Sequence, residues 1–134
     1  MEDDLDLALQ WTGKFQQAGF DAVMTHSRAE AEVQCAERQF DVVVLDIFIR
    51  GDDQELLGDG GFTLLSRLRT PELAGTPEWG RTVPVLVVTG AKDEVLDALD
   101  HAINIGANDA LYKPVDPDVL VTRVRRMLDI AAQT

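Results

Sequence analysis

Two short runs of consecutive apolar, mostly β-branched residues constrain the fold of this chain more than any other feature. Residues 41–46 read DVVVLD and residues 83–88 read VPVLVV, and neither run alternates apolar with polar side chains. A strand with one face in water alternates, so a continuous apolar strand is buried on both faces, as in a parallel sheet covered by helices. The two runs therefore predict an α/β protein with a parallel central sheet.

Helix and strand patterns alternate along the rest of the sequence. Two further short strands are predicted at 20–25 and 110–112. The glycine- and proline-rich stretches at 50–61 and 70–82 are predicted to be loops. Strict alternation predicts a doubly wound parallel sheet with helices on both sides. Five helices are predicted, at residues 4–18, 27–38, 62–69, 93–105 and 116–131.

Length, charge and cysteine content exclude several classes of protein. The 134 residues, 46% of them hydrophobic, suit one globular domain, residues 1–134. Twelve basic against twenty-four acidic residues give a net charge of −12, which argues against a nucleic-acid partner. No apolar run is long enough to span a membrane, no secretory signal is visible, and one cysteine cannot form an internal disulfide. We therefore expect a cytoplasmic protein that contacts neither nucleic acid nor membrane.

Polar residues stand where three of the predicted strands end. Asp46, Thr89 and Lys113 each follow an apolar strand, and ligands of open parallel sheets bind beyond the carboxyl ends of the strands. If Glu2 and Asp3 lie beside this edge, the carboxylates repel one another unless a cation neutralises them, and oxygen ligands suit Mg²⁺. Such a site is equipped for phosphoryl transfer onto Asp46. For any one of these residues alone, the competing interpretation is an ordinary strand end or a surface charge.

The order and spacing of these residues resemble the receiver domain of two-component response regulators, over essentially the whole chain. The matching segments are EDD at 2–4 before a helix, Asp46 closing a buried strand, VTGA at 88–91, GAND at 106–109 and KP at 113–114. No single segment is specific, but their combined order and spacing are.

The resemblance implies a fold, a partner and a mode of action. The family sheet has five parallel strands in the order 2-1-3-4-5. A histidine kinase or a histidine phosphotransfer protein would donate a phosphoryl group to Asp46. The chain would then be a switch rather than an enzyme, with at most slow self-phosphorylation and self-dephosphorylation. It would act alone or as a piece of a larger protein.

The resemblance also assigns roles within the site. Mg²⁺ would be bound by Asp3, Asp46 and the backbone carbonyl of Phe48, with Glu2 nearby. Thr89 and Lys113 would bind the phosphoryl group, and the peptide bond between residues 113 and 114 would be cis.

The N-terminus departs from the family pattern. Family members have an apolar strand directly before the acidic pair, and only Met1 stands there in this chain. A start site placed too late and a natural four-stranded variant are the two open explanations. Because the missing strand is internal in the family order, its loss leaves both neighbours without a partner. We predict a gapped or rearranged sheet, or a strand supplied by another chain, and a five-stranded sheet within one chain would contradict this.

The family's switch aromatic is also displaced. Its position, three residues before the lysine, is held by Ala110, and the nearby aromatic is Tyr112. From strand alternation we expect Tyr112 to lie on the other face and not to replace the missing ring. The aromatic rotation linked to Thr89 would then be absent.

A second function competes with the phospho-acceptor. A pseudo-receiver, a protein-interaction module that is not phosphorylated, is supported by Ala110 and the truncated start and opposed by the intact Asp46, Thr89 and Lys113. A phosphatase with an aspartyl nucleophile needs a second acid two residues on, where Phe48 stands.

Two features of the predicted helices complete the expectations. Trp11, on the amphipathic first helix, is interpreted as part of the core. The arginines at 123, 125 and 126 form the only basic cluster. We interpret them first as a solvated face and second as a contact in a homodimer or with another partner.

Overall fold

The computed structural model describes residues 5–47, 61–89 and 96–133, which form a parallel sheet flanked by helices. The strands are β1 (Val43–Ile47), β2 (Val85–Thr89) and β3 (Asp109–Tyr112). The helices are α1 (Leu5–Gln17), α2 (Arg28–Glu37), α3 (Gly61–Arg69), α4 (Pro71–Ala74), α5 (Leu96–Ile105) and α6 (Pro117–Ala132), with a 3-10 turn at Glu78–Arg81. The predicted α/β class with a parallel sheet is confirmed.

The sheet is buried on both faces, as the apolar runs predict. The strands follow one another in the order β1-β2-β3, and all five residues of β2 are buried. Val85 and Val87 pack against α2, α3 and α5, whereas Leu86 and Val88 pack against α1 and α6. Successive side chains of β2 therefore serve the two cores in turn, which is why this strand shows no alternation in polarity.

Side-chain caps fix the start of two helices where the sequence predicts them. Ser27 accepts a hydrogen bond from the Glu30 backbone N–H at 3.2 Å. The Glu30 carboxylate in turn accepts one from the His26 N–H at 3.0 Å, one residue earlier than in the usual capping box. Asp116 accepts from the Asp118 N–H at 2.8 Å and so caps α6. These bonds satisfy backbone donors that have no partner within the helix.

Residues 20–25 do not form the strand that the sequence predicts. Over the three described ranges the sheet consists of β1, β2 and β3, and the ladder of β1 is with β2. A strand needs a neighbour for its backbone hydrogen bonds, and among the described residues no strand pairs with this segment. The predicted strand at 20–25 is therefore wrong, and the described sheet has three strands. That a missing first strand gaps the sheet stays a prediction, because residues 1–4 lie outside the described ranges.

A cavity of about 160 Å³, which we call the gap, lies beside β1 on the side away from β2. Its walls are residues 42–45 at the outer side of β1, residues 20–25, and side chains of α1 and α2. Because α1 and α2 cover opposite faces of the sheet, the cavity passes through the layer that the strands occupy. The cavity therefore lies where a further strand could pair with the outer edge of β1.

The stretch at 70–82 was expected to be a loop, but it contains α4 and the 3-10 turn. Arg69, at the end of α3, holds this region in place. Its guanidinium donates to the carbonyl of Gly80 at 2.7 Å and to the carbonyl of Gly106 at 2.8 and 3.0 Å. α4 itself is closed by backbone bonds within the segment, from the N–H groups of Ala74 and Gly75 to the carbonyls of Thr70 and Pro71. Proline at the start and glycine at the end suit a short helix as well as a loop, which explains the wrong prediction.

Arg125 and Arg126 are exposed, as the interpretation of a solvated face predicts, and two of the three clustered arginines also have intramolecular partners. Arg123 pairs with Asp109 at 2.7 Å, and Arg125 donates to the Ala18 carbonyl at 2.8 Å. These contacts attach α6 to β3 and to the end of α1.

In the described ranges, no helix has the length and apolar character needed to cross a membrane.

Candidate functional site

Asp46 provides a buried carboxylate near the carboxyl end of the sheet. It is the penultimate residue of β1, and its side chain is 2% exposed. A carboxylate at this depth is costly unless a cation or hydrogen-bond donors compensate its charge. Its presence in an otherwise apolar strand therefore indicates a specific partner.

Lys113 supplies that partner. Its Nζ lies 3.2 Å from Oδ1 of Asp46, and its side chain is 19% exposed. The residue follows β3 directly, and its backbone N–H donates to the Thr89 carbonyl at 2.7 Å. This bond continues the ladder between β2 and β3 and brings the lysine to the same edge as Asp46. The peptide bond between Lys113 and Pro114 is cis, as the resemblance implies.

Thr89 contributes a hydroxyl that lacks a hydrogen-bond partner. It ends β2 opposite Ile47, one register position beyond Asp46 on the neighbouring strand. The residue is fully buried, and its Oγ1 makes no hydrogen bond in the structure. A buried hydroxyl without a partner carries a desolvation cost that an incoming acceptor oxygen would remove. This orphaned donor fits an oxygen-rich ligand such as a phosphoryl group.

Gly61 is a residue of the site that sequence reasoning missed. A Cβ atom on it would lie 2.7 Å from the backbone oxygen of Asp46, closer than such atoms approach. The first residue of α3 therefore has to be glycine for the helix to pack against the end of β1. The signal is the glycine-rich stretch GDGG at 58–61, a composition that is typical of loops and does not by itself indicate a close approach to β1.

The other residues predicted for the metal lie outside the described ranges. These are Glu2, Asp3 and Phe48. Over residues 5–47, 61–89 and 96–133, no three acidic, histidine or cysteine side chains cluster as a metal site would require. Of the predicted ligands, the structure therefore places Asp46 alone, and its buried carboxylate suits a hard cation in donor type.

The expectation for Tyr112 is wrong in its geometry. Ala110 and Tyr112 are two residues apart in β3, so they share a face of the sheet instead of lying on opposite faces. Ala110 packs against the core on the side of α3 and α5, whereas Leu111 between them packs on the other side. Tyr112 is 39% exposed at the end of the strand. An aromatic ring is thus present on the face where the family's switch aromatic would lie, but two residues closer to Lys113.

Comparisons of this chain with a family model and with known proteins agree on one family. The model of the response regulator receiver domain matches residues 1–125. The swarming motility regulation protein RssB of Serratia marcescens is 31% identical, over 100% of this chain and 55% of its own length. The transcriptional activator protein IrlR of Burkholderia pseudomallei is 30% identical, over 96% of this chain and 48% of its own. The chain thus spans about half the length of these curated relatives.

Solved structures share the fold. A CheY-like response regulator receiver domain protein from Methanospirillum hungatei superposes with a TM-score of 0.77 at 19% identity, covering 98% of this chain and 92% of that one. At this level of identity the likeness concerns the fold alone.

Proposed function

The chain belongs to the response regulator receiver family, and from that premise we propose that it accepts a phosphoryl group on Asp46. One observation carries the proposal. The buried Asp46 carboxylate lies 3.2 Å from the Lys113 ammonium, at the edge where the Thr89 hydroxyl is buried without a partner. A nucleophile, a cation and an unused donor meet there, as transfer of a charged phosphoryl group requires.

The donor would be a phosphohistidine of a histidine kinase or a histidine phosphotransfer protein. An Asp46 carboxylate oxygen forms a bond to phosphorus while the bond from phosphorus to the histidine nitrogen breaks. The imidazole leaves with the electron pair of that bond and takes up a proton. Lys113 balances charge on the transferred oxygens, and the Thr89 hydroxyl donates a hydrogen bond to one of them.

Mg²⁺, when bound, would neutralise part of the charge that carboxylate and phosphoryl oxygens bring together. Asp46, Asp3 and the backbone carbonyl of Phe48 would hold it, with Glu2 nearby. Two relatives of this chain are, by name, a regulator of swarming motility and an activator of transcription. The proposed output of this chain is a change in its protein-binding surface after phosphorylation of Asp46.

The test is intact mass after incubation with Mg²⁺ and acetyl phosphate. We expect the parent chain to gain about 80 Da, one phosphoryl group, and Asp46→Asn to gain nothing. Asp41→Asn is the matched control, because Asp41 is an exposed carboxylate just before β1. It should gain the same mass as the parent.

Two further treatments identify the chemistry. Chelation of Mg²⁺ should abolish the gain, and hydroxylamine should remove it, because an aspartyl phosphate is an acyl phosphate. An equal gain in Asp46→Asn would refute Asp46 as the acceptor. No gain in the parent would favour the pseudo-receiver.

A further inference from the structure

Trp11 of α1 is buried in a way that packing alone does not explain. The residue is 5% exposed and packs among Leu86 and Val88 of β2 and Leu120 and Val124 of α6. Its indole Nε1 is buried and makes no hydrogen bond in the structure. Buried tryptophan usually finds a partner for this donor, and an unpaired donor costs free energy. Phenylalanine or leucine would fill apolar space here without that cost.

The feature that tryptophan adds is its contact with the site. Nζ of Lys113 lies over the Trp11 ring, 5.7 Å from the ring centroid, while it is 3.2 Å from Oδ1 of Asp46. An ammonium within about 6 Å of an indole face is attracted to the ring, and more strongly when both groups are shielded from water. Lys113 is 19% exposed at its side chain, so most of that shielding is present.

We propose that Trp11 is a positioning residue for phosphoryl transfer, which fixes the Lys113 ammonium beside Asp46. A lysine side chain has a flexible four-carbon stem and binds as a point charge. A ring that attracts the ammonium restricts it to the neighbourhood of the carboxylate before the phosphoryl group arrives, so less ordering remains for the transition state. The inference rests on the proposed function for its consequence, but the contact itself can be tested without phosphorylation.

The first experiment measures the contact by NMR on protein carrying ¹³C-labelled lysine. The chain has three lysines, at 14, 92 and 113, so the spectrum is simple, and Lys113→Arg assigns the resonance. The ε-methylene protons of Lys113 should be shifted upfield by the indole ring in the parent. The shift should be smaller in Trp11→Phe, absent in Trp11→Leu and unchanged in Trp79→Phe. Parent resonances that match those of the other two lysines would overturn the proposal, whatever the variants do.

The second experiment measures the rate of phosphorylation by acetyl phosphate in the same proteins. Loss of an attraction of the usual strength for a shielded pair should slow Trp11→Leu by roughly 10-fold at saturating donor, and Trp11→Phe should recover most of the rate. The half-saturating donor concentration should not change, because Trp11 does not touch the donor. Trp79, which packs against Phe40 with ring centroids 6.0 Å apart, is the matched control.

Thermal unfolding of each variant separates positioning from folding. A folded Trp11→Leu that is phosphorylated as fast as the parent would overturn the proposal, as would a Trp11→Phe as slow as Trp11→Leu. If the parent takes up no phosphoryl group, the proposed function fails and the positioning role fails with it. The NMR shift then shows separately whether the contact between ring and ammonium exists.

Discussion

At the scale of single residues, the site combines one compensated group with one uncompensated group. Asp46 is buried but has the Lys113 ammonium at 3.2 Å. Thr89 is equally buried, and its hydroxyl has no partner. A protein selected for stability alone would have valine at the end of β2, since valine has the same shape without the polar atom. The threonine therefore indicates a role that appears only with a bound ligand.

Substitution of Thr89 by valine tests this directly. Because Thr89→Val removes an unsatisfied buried donor, the free energy of unfolding should stay the same or rise by about 1 kcal/mol. The rate of phosphorylation should fall, since the donor to the phosphoryl oxygen is gone. Urea denaturation and intact mass over time provide the two measurements. A loss of stability above about 1 kcal/mol would instead mean that the hydroxyl is satisfied in solution.

At the scale of elements, β1 pairs with β2 alone among the described residues, and the gap lies along its other edge. The cavity of about 160 Å³ is lined by side chains from both layers of helices, including Cys35 of α2. Burial raises the pKa of the Cys35 thiol, so the thiolate is disfavoured in the folded protein. Reactivity of this thiol therefore reports on how closed the gap is.

An added strand should close the gap. We expect five valine and isoleucine residues fused directly before Met1 to raise the free energy of unfolding by about 2 kcal/mol or more, since several apolar side chains become buried. Alkylation of Cys35 should slow at the same time. A fusion of equal length made of glycine and serine is the control. Equal stability and thiol reactivity in the two fusions would show that the gap does not accept a strand.

At the scale of the whole molecule, the net charge of −12 makes every measurement of stability sensitive to salt. Like charges repel in the compact state, so screening by monovalent salt stabilises an acidic protein without binding at any site. A divalent cation held by Asp46 adds a separate contribution, because a ligand that binds only the folded state stabilises it by mass action.

The two contributions can be separated at matched ionic strength. At a Mg²⁺ concentration ten times its Kd, the parent should gain about 1.4 kcal/mol over the same ionic strength of NaCl. Asp46→Asn should show no such excess, whereas Asp41→Asn should behave as the parent. Urea denaturation in the two salts is the measurement. An excess of equal size in Asp46→Asn would assign the effect to general screening or to another site.

Much of the fold could be predicted from local patterns. The apolar runs located β1 and β2 to within two residues, and the caps at Ser27 and Asp116 marked the starts of α2 and α6. The predicted placement of Asp46, Thr89 and Lys113 at one edge agrees with the structure, because parallel strands bring their carboxyl ends to the same edge. Patterns of this kind depend only on residues that are close together in the chain, so the sequence is enough to recognise them.

Local patterns failed where a distant group decides the outcome. Residues 20–25 have the composition of a strand but lack a partner in the described sheet. The close approach of Gly61 to Asp46 and of Trp11 to Lys113 likewise joins residues far apart in the chain.

The sequence by itself thus determined the fold class, the family and the edge at which the polar residues gather. Apolar runs, helix caps and motif spacing are patterns along the chain, so they can be recognised without the three-dimensional structure. Only the tertiary structure decided that residues 20–25 form no strand, that the Thr89 hydroxyl has no partner among the described residues and that a tryptophan ring lies against the site lysine. Each of these depends on which surfaces meet after folding, and packing between distant segments is what sequence patterns do not encode.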